Sequence, residues 1–586
     1  MDSLYKFGLL GLLGLAAGGV FSQTTPVKAP PNVILIITDD QGWGDISFNG
    51  NHNLNTPFMD QLALQGARFE HFYVQPVCSP TRAEILTGKN YPSLGVYSTS
   101  AGGERMDPKA YSLGVHFRHA GYRTGYFGKW HNGSQAPYHP LDRGFQEFYG
   151  FTSGHWGHYF GPELEHNGNW VKGTGFLADD FTGRAIAYME SVREAPFLVV
   201  LAYNTPHSPM QVPDTYWKRW RRKELLQQHR QPDAEDTDFT RAALAMVENI
   251  DDNLGRLHRF LTQSRLQENT IVVFLSDNGP NGYRWNGGLK GRKGSTDEGG
   301  VKSPLFVRWP GTIRPGTAIR RLAGSIDLLP TLSGLTGTRL PDSVRLDGED
   351  LSEHLVLGKR DQRKSPLYHR WGERTSVRIE GYRLDAEGRL YDLENDPGQT
   401  QDVSALFPAL TKQLTDARDT WENQIPARTE QPFTVGCSSR STELPARDGK
   451  AHGPVTRSNR YPNSSYFTNW NRITGAVSWE VDICETGRYE VQLYYTCAET
   501  DIGVSLELQS GSDSVTRQIA AAHDPEPYGA AQDRYPRIES YVKDFKAVSL
   551  GYLQLQQGRD TLWLRATKLT GQRAVDVRRL VLKKVR

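Results

Sequence analysis

Eleven consecutive residues, Cys78 to Gly88 (CSPTRAEILTG), form the stretch of this chain that reads most directly as a reaction centre. A cysteine precedes Pro80 and Arg82 in a short helical run that Gly88 closes. A small nucleophilic side chain thus stands at a helix N-terminus, where unpaired backbone N–H groups favour an anion. Two further pairs, Asp39-Asp40 and Asp277-Asn278, offer only oxygen donors, three of them anionic. So hard a donor set suits Ca²⁺ better than zinc, with Mg²⁺ the nearer competitor. Either pair alone also fits a turn or a helix cap. Lys129 and His131 in GKWH, His207 in NTPH and Lys293 in RKGSTDEGG add charge neutralisers and proton carriers. Taken singly, each also fits a surface charge or a structural histidine.

The elements that must position these groups are legible. Asn32 to Thr38 (NVILIIT) is a continuous apolar, β-branched run, which predicts a strand buried on both faces of a parallel sheet and ending at Asp39-Asp40. Thr56-Pro57 opens a helix through Leu64 that Gly66 closes, and Phe69 to Val74 returns as a strand feeding Cys78. YRTGYFGKWH delivers Lys129 and His131, PFLVVLAYNTPH delivers His207, and TIVVFLSDNG delivers Asp277 and Asn278 after a helix from about Phe239 to Thr262. Alternating strands and helices predict an α/β fold with a mostly parallel central sheet, whose ligand site lies off the strands' carboxyl ends. Four separate runs aim polar residues at one edge.

Cys-x-Pro-x-Arg followed by Leu86-Thr87-Gly88 resembles the signature of the type I sulfatases, and GKWH, NTPH and RKGSTDEGG resemble further motifs of that family. The resemblance runs from about Asn32 to Glu422. It implies an alkaline phosphatase-like fold and a cysteine, Cys78, oxidised to Cα-formylglycine by a maturation enzyme of the host. It also implies a divalent metal held by Asp39, Asp40, Asp277, Asn278 and the residue at position 78. One hydroxyl of the hydrated aldehyde would attack sulfur, and loss of the other hydroxyl's proton would expel sulfate. Arg82 would orient that diol, His131 would act as its base or hydrogen-bond partner, and Lys129 and Lys293 would neutralise sulfate oxygens. His207 or Lys293 would protonate the leaving alcohol. Thr81 stands where many relatives carry serine, a change the family tolerates.

At 586 residues the chain predicts two or three domains. The boundaries read as a signal peptide over 1–22, a catalytic α/β domain over 23–360, a small α+β subdomain over 361–428 and a β-sandwich over 429–586. The leader has a single Lys6, a short apolar run from Phe7 to about Val20 and small residues near Ser22, so a secreted or periplasmic protein with no stable membrane insertion is expected. A net charge of +2 gives no field for nucleic-acid binding. Setting Cys78 apart leaves Cys437, Cys484 and Cys497, enough for one intrachain disulfide; Cys484 and Cys497 could sit on neighbouring strands, and the pairing stays open. Past about Arg428, alternating runs such as AVSWEVDI and RYEVQLYYT predict the antiparallel sandwich, either a carbohydrate-binding module or a packing unit.

Aromatic and cationic residues suggest the substrate. His155, Trp156, His158, Arg284 and Trp285 are expected near the entrance, with Trp faces for sugar rings and Arg284 for a second anionic group. A sulfated polysaccharide or oligosaccharide is the first substrate class. The competing readings are a phosphonate or phosphate ester hydrolase of the same superfamily and a non-catalytic, Ca²⁺-holding carbohydrate-binding protein.

Overall fold

All eight residues of the Asn32–Asp39 strand are buried, as a strand covered on both faces requires. It lies at the centre of a ten-stranded sheet in the computed structural model, which describes residues 29–428 and 432–585. Phe197–Pro206 and Thr270–Ser276 flank it in parallel, and Arg123–Lys129 and Glu147–Phe151 extend the parallel set. Ile36 sits level with both Leu201 and Phe274, so the three central strands end together. That register brings the chain at Asp39, His207 and Asp277 to one edge.

Alternate residues of the central strand feed two cores. Val33, Leu35 and Ile37 face the layer containing Ala83, Ile85 and Leu86 of the Cys78–Thr87 helix. Ile34 and Ile36 face the other layer, where Leu244, Val247, Ile250, Leu254, Leu257 and Leu261 of Thr237–Gln263 recur at helical spacing. Asp236 caps that long helix through the amides of Asp238 and Phe239.

The sheet changes character at its margins. Leu305–Arg308 pairs antiparallel with Thr270–Ser276 on one side, and Glu163–His166 with Asn169–Lys172 forms a hairpin on the other. The strand expected from Phe69 to Val74 is divided. Ala67–Phe69 joins the main sheet, whereas Phe72–Tyr73 pairs with Ala323–Gly324 in a separate two-stranded sheet. The half-buried polar step at Glu70-His71 carries the chain from one to the other.

Beyond the main sheet, Leu367–Trp371, Arg374–Ile379, Tyr382–Leu384 and Leu390–Asp392 form an antiparallel sheet covered by the Pro408–Asn423 helix. Tyr368 stacks on Trp421 of that helix at 4.7 Å. From Phe433 onward, two six-stranded sheets enclose a core containing Trp479, Leu493, Leu564 and Leu580. Cys437 and Cys484 are disulfide-bonded with Cα atoms 5.1 Å apart, and Cys497 is a buried free thiol. The pairing of Cys484 with Cys497 does not occur because they bracket the ten-residue strand Gly487–Thr496, whose ends lie roughly 30 Å apart.

This sandwich docks on the edge that carries the strand ends. Arg105 pairs with Asp448 at 3.1 Å, Gln211 donates to the Gly529 carbonyl at 2.9 Å, and Arg537 donates to the Gly157 carbonyl at 2.6 Å. The leader expected over residues 1–22 lies outside the described residues. Among those described, no helix is long and apolar enough to cross a membrane.

Candidate active site

The Cys78–Thr87 helix is buried along its whole length, and Gly88 ends it at φ 65°, a conformation that favours glycine. Cys78 is therefore held at a fixed N-terminus beneath the strand edge. Its sulfur lies among the carboxylates of Asp39 and Asp277, with ligand atoms all within 4.8 Å of one another. Burial pushes the thiol pKa up, against the opposing pull of Lys129 and Lys293. As a plain cysteine it is a poor nucleophile at neutral pH.

The acidic residues are held by cations. Lys129 Nζ donates to Asp39 Oδ2 at 2.6 Å, Arg82 donates to Asp277 Oδ2 from Nε at 3.0 Å with Nη2 in ion-pair contact at 2.8 Å, and Lys293 Nζ reaches the two Asp40 oxygens at 2.7 and 2.9 Å. Arg82 also donates to the Lys129 carbonyl at 2.6 Å, tying the helix to the strand end. Asp40 sits at φ 67°, a strained conformation for a non-glycine, and its amide donates to Asp277 Oδ1 at 3.3 Å. Asn278 Nδ2 donates to Asp40 Oδ1 at 2.8 Å. Burial works against the Asp40 carboxylate, yet Lys293 and His207 hold its pKa below the ordinary value. Burial and the neighbouring Asp39 push Asp277 up to about 6.

These residues fit a hard cation. Asp39 Oδ1 and Asn278 Oδ1 are buried without a hydrogen-bond partner, and the donor set is three carboxylates and an amide oxygen. A divalent ion among them would satisfy both orphaned oxygens and relieve the repulsion that raises Asp277.

Both histidines present a free nitrogen. His131 adopts φ 71°; its Nε2 lies 2.8 Å from the Thr99 carbonyl and so carries the proton, leaving buried Nδ1 as an unpartnered acceptor. Burial, then Lys129, holds its pKa well below the ordinary imidazole value. His207 Nδ1 donates to the Ser208 carbonyl at 2.6 Å, which leaves Nε2 facing Asp40 Oδ2 at 3.7 Å. Burial and Lys293 bring His207 down to about 4. Tyr159 fixes this turn by donating its hydroxyl to the carbonyls of His207 and Ser208 at 2.9 and 2.8 Å.

The residues expected at the entrance divide. His155 stacks on His207, ring centroids 5.9 Å apart, and belongs to the centre. Trp156 lies between Phe151 and Trp170, at 5.1 and 6.3 Å, so its faces are turned to other rings. His158 packs edge-on against Tyr528 of the sandwich. Arg284 is not a free anion receptor: its guanidinium grips Asp45 at 2.6–2.9 Å and donates to the Asp40 carbonyl at 2.8 Å, which makes it a strut under the Asp40 turn. Trp285 sets the tip of its ring 3.8 Å from the Cβ position of Gly50. Sequence reasoning missed Glu539, which accepts a hydrogen bond from Ser208 Oγ beside His207. No motif surrounds it; only the docking of the sandwich brings it there.

Fold and strand-end cluster together place the chain in the alkaline phosphatase-like class. Residues 31–338, more than half of the chain, match the family model described as Sulfatase, and the chain belongs to that family of sulfuric ester hydrolases. It is 30% identical over 394 residues to N-acetylgalactosamine-6-sulfatase of Mus musculus, covering 61% of this chain and 72% of the relative. It is 31% identical over 401 residues to arylsulfatase A of Homo sapiens, covering 61% and 73%. The crystal structure of Ps i-CgsB in complex with k-i-k-neocarrahexaose is similar with a TM-score of 0.63 at 29% identity, covering 69% of this chain and 95% of that one. The phosphonate monoester hydrolase of Agrobacterium radiobacter shares the fold alone, with a TM-score of 0.53 at 19% identity over 68% of this chain and 96% of that one.

Proposed function

We propose that this chain is an exported sulfatase that releases sulfate from a sulfated polysaccharide or oligosaccharide, using Cα-formylglycine made from Cys78 and Ca²⁺ held by Asp39, Asp40, Asp277, Asn278 and the residue at position 78. The single observation that carries the reading is the pair of buried, unpartnered oxygens, Asp39 Oδ1 and Asn278 Oδ1, beside a cysteine at a helix N-terminus. When present, the hydrated aldehyde supplies a hydroxyl nucleophile and the ion neutralises sulfate oxygens.

The chain's own side chains do the rest. Lys293, on a loop pinned by hydrogen bonds from the Lys293 amide to the Pro280 carbonyl and from the Gly294 amide to the Pro76 carbonyl, stands at the mouth with its side chain 18% exposed and meets an incoming sulfate. Lys129, fully buried, pairs with Asp39 and opposes the burial that raises its pKa. His131 takes a proton at Nδ1, the nitrogen its Thr99 bond leaves free. For His207 to hold the bridging oxygen or hand it a proton, Nε2 must be protonated as well as Nδ1, which the negative charge of a bound sulfate favours, with Tyr159 and Ser208 fixing the ring. We assign residues 1–22 to a signal peptide, 23–360 to the catalytic domain, 361–428 to its α+β extension and 429–586 to a carbohydrate-contacting sandwich. A formylglycine-generating enzyme of the host is the required partner.

The test is release of inorganic sulfate or phosphate from matched sulfate and phosphate monoesters and from sulfated oligosaccharides. Sulfate release that exceeds phosphate release, and is faster on oligosaccharides, is expected. Faster phosphate release would move the protein to the phosphoester reading.

A further inference from the structure

Between the outer hairpin of the main sheet and the sandwich lies a cleft of about 630 Å³. Two chain segments lead into it from the reaction centre. In the first, Gly154 is so close to His131 that a Cβ there would come within 2.5 Å of Nε2, His155 stacks on His207, and Trp156 and His158 line the cleft. In the second, Asn463 lies against Gly154 (2.6 Å to the same Cβ position), and the next residue, Ser464, lines the cleft with its buried hydroxyl unpartnered. On both walls the cleft begins within two residues of the centre.

Its charge is positive, with Lys172, Lys543, Arg578 and Arg579 set against Glu163 and Asp544. Two of these cations are engaged. Arg579 grips Glu163 at 3.0–3.1 Å while lying over the Trp170 ring, and Lys543 pairs with Asp576 at 2.8 Å. Arg578 differs. It donates to the Ser465 carbonyl at 2.6 Å and, among the described residues, forms no ion pair. Burial and the adjacent Arg579 lower its pKa to about 10, so it stays charged at neutral pH. It is also close enough to the centre to act electrostatically on His155. A half-buried guanidinium with donors to spare matches the oxygens of a sulfate.

We propose that this cleft is a second anion subsite, in which Arg578 binds a sulfate on a sugar unit adjoining the one being cleaved, so that the sandwich forms part of the substrate site. The inference rests on the glycan sulfatase reading given above and names where the neighbouring unit goes. The aromatic wall of Trp156 and Trp170 confines that unit, and Lys172, exposed at the rim, adds a weaker attraction.

The experiment compares wild type, R578Q and K172E in the full, matured chain, reading kcat and KM by sulfate release. The probes are N-acetylgalactosamine 6-sulfate, with one sulfate, and chondroitin 6-sulfate hexasaccharide and k-i-k-neocarrahexaose, with several. R578Q is expected to raise KM for a cleaved hexasaccharide about tenfold with kcat unchanged, and to leave the monosaccharide untouched. K172E, on an exposed strand, shifts KM in the same direction by less and covers the case in which R578Q does not fold. Unchanged KM in both variants, an equal effect on the monosaccharide, or wild-type activity confined to the monosaccharide would overturn the subsite. Absence of sulfate release from every probe by wild type would instead remove the glycan sulfatase reading, and the subsite with it.

Discussion

The two lysines around the strand ends make different predictions, and the difference follows from their exposure. Lys129 is fully buried against fully buried Asp39, whereas the Lys293 side chain is 18% exposed against Asp40. Lys129→Ala leaves the Asp39 carboxylate in a dry site with Asp40 as its neighbour, and removing one partner of such a pair costs about 3–5 kcal/mol. A bound divalent ion compensates part of that loss. Lys293→Ala also strips fully buried Asp40 of its nearest cation, but the place opens to water, so the loss of stability is smaller, about 1–3 kcal/mol. Its larger effect falls on the sulfate, where removal of one preorganised charge stabiliser costs about 10²–10³ in kcat. Urea unfolding in chelator and then in Ca²⁺, run beside sulfate release, separates the two. K129A should unfold at markedly lower urea in chelator and recover partly in Ca²⁺, while K293A should unfold between K129A and wild type and turn over slowly. A stable K129A in chelator, or a fully active K293A, would refute the reasoning.

Chelation of the wild type should abolish sulfate release, and Ca²⁺ should restore it more fully than Mg²⁺, as measured by activity against added metal. Glu84 on the Cys78 helix is buried and hydrogen-bonded to Gln75, Tyr91 and Ser325, and burial pushes its pKa from 4.5 to about 8. Its folded pKa is raised, so its contribution is complete below pH 4.5 and is lost as pH rises through 8; Glu84→Gln should flatten that decline, read from urea midpoints across the range. Cys437→Ser opens a loop of 47 residues and should lower the sandwich's stability by about 4 kcal/mol, read by calorimetry, with sulfate release falling only as the docked sandwich is lost.

The edge that carries the candidate site was legible because its signals are local. NVILIIT and TIVVFLS are buried on both faces and end in acidic or amide residues, so strand type, sheet position and site edge follow from one pattern. Periodicity likewise gave the long helix and the sandwich strands. What could not be read depends on distant partners. Arg284 stands in an aromatic, Gly-rich loop that suggests substrate contact, and only the fold sets it against Asp45. The split of Phe69 to Val74 between two sheets depends on Thr317–Ile319 and Ala323–Gly324, far along the chain. Glu539 and Arg578 lie in alternating or loop sequence with no motif, and the docking of one folded unit on another brings Glu539 against Ser208 and Arg578 into the cleft.

The central claim is that position 78 is a matured nucleophile. Peptide mass spectrometry across Cys78, on protein recovered from its native host, tests it most directly. The account predicts the aldehyde or its hydrate in place of the thiol; unmodified cysteine throughout, in protein that releases sulfate, would contradict it.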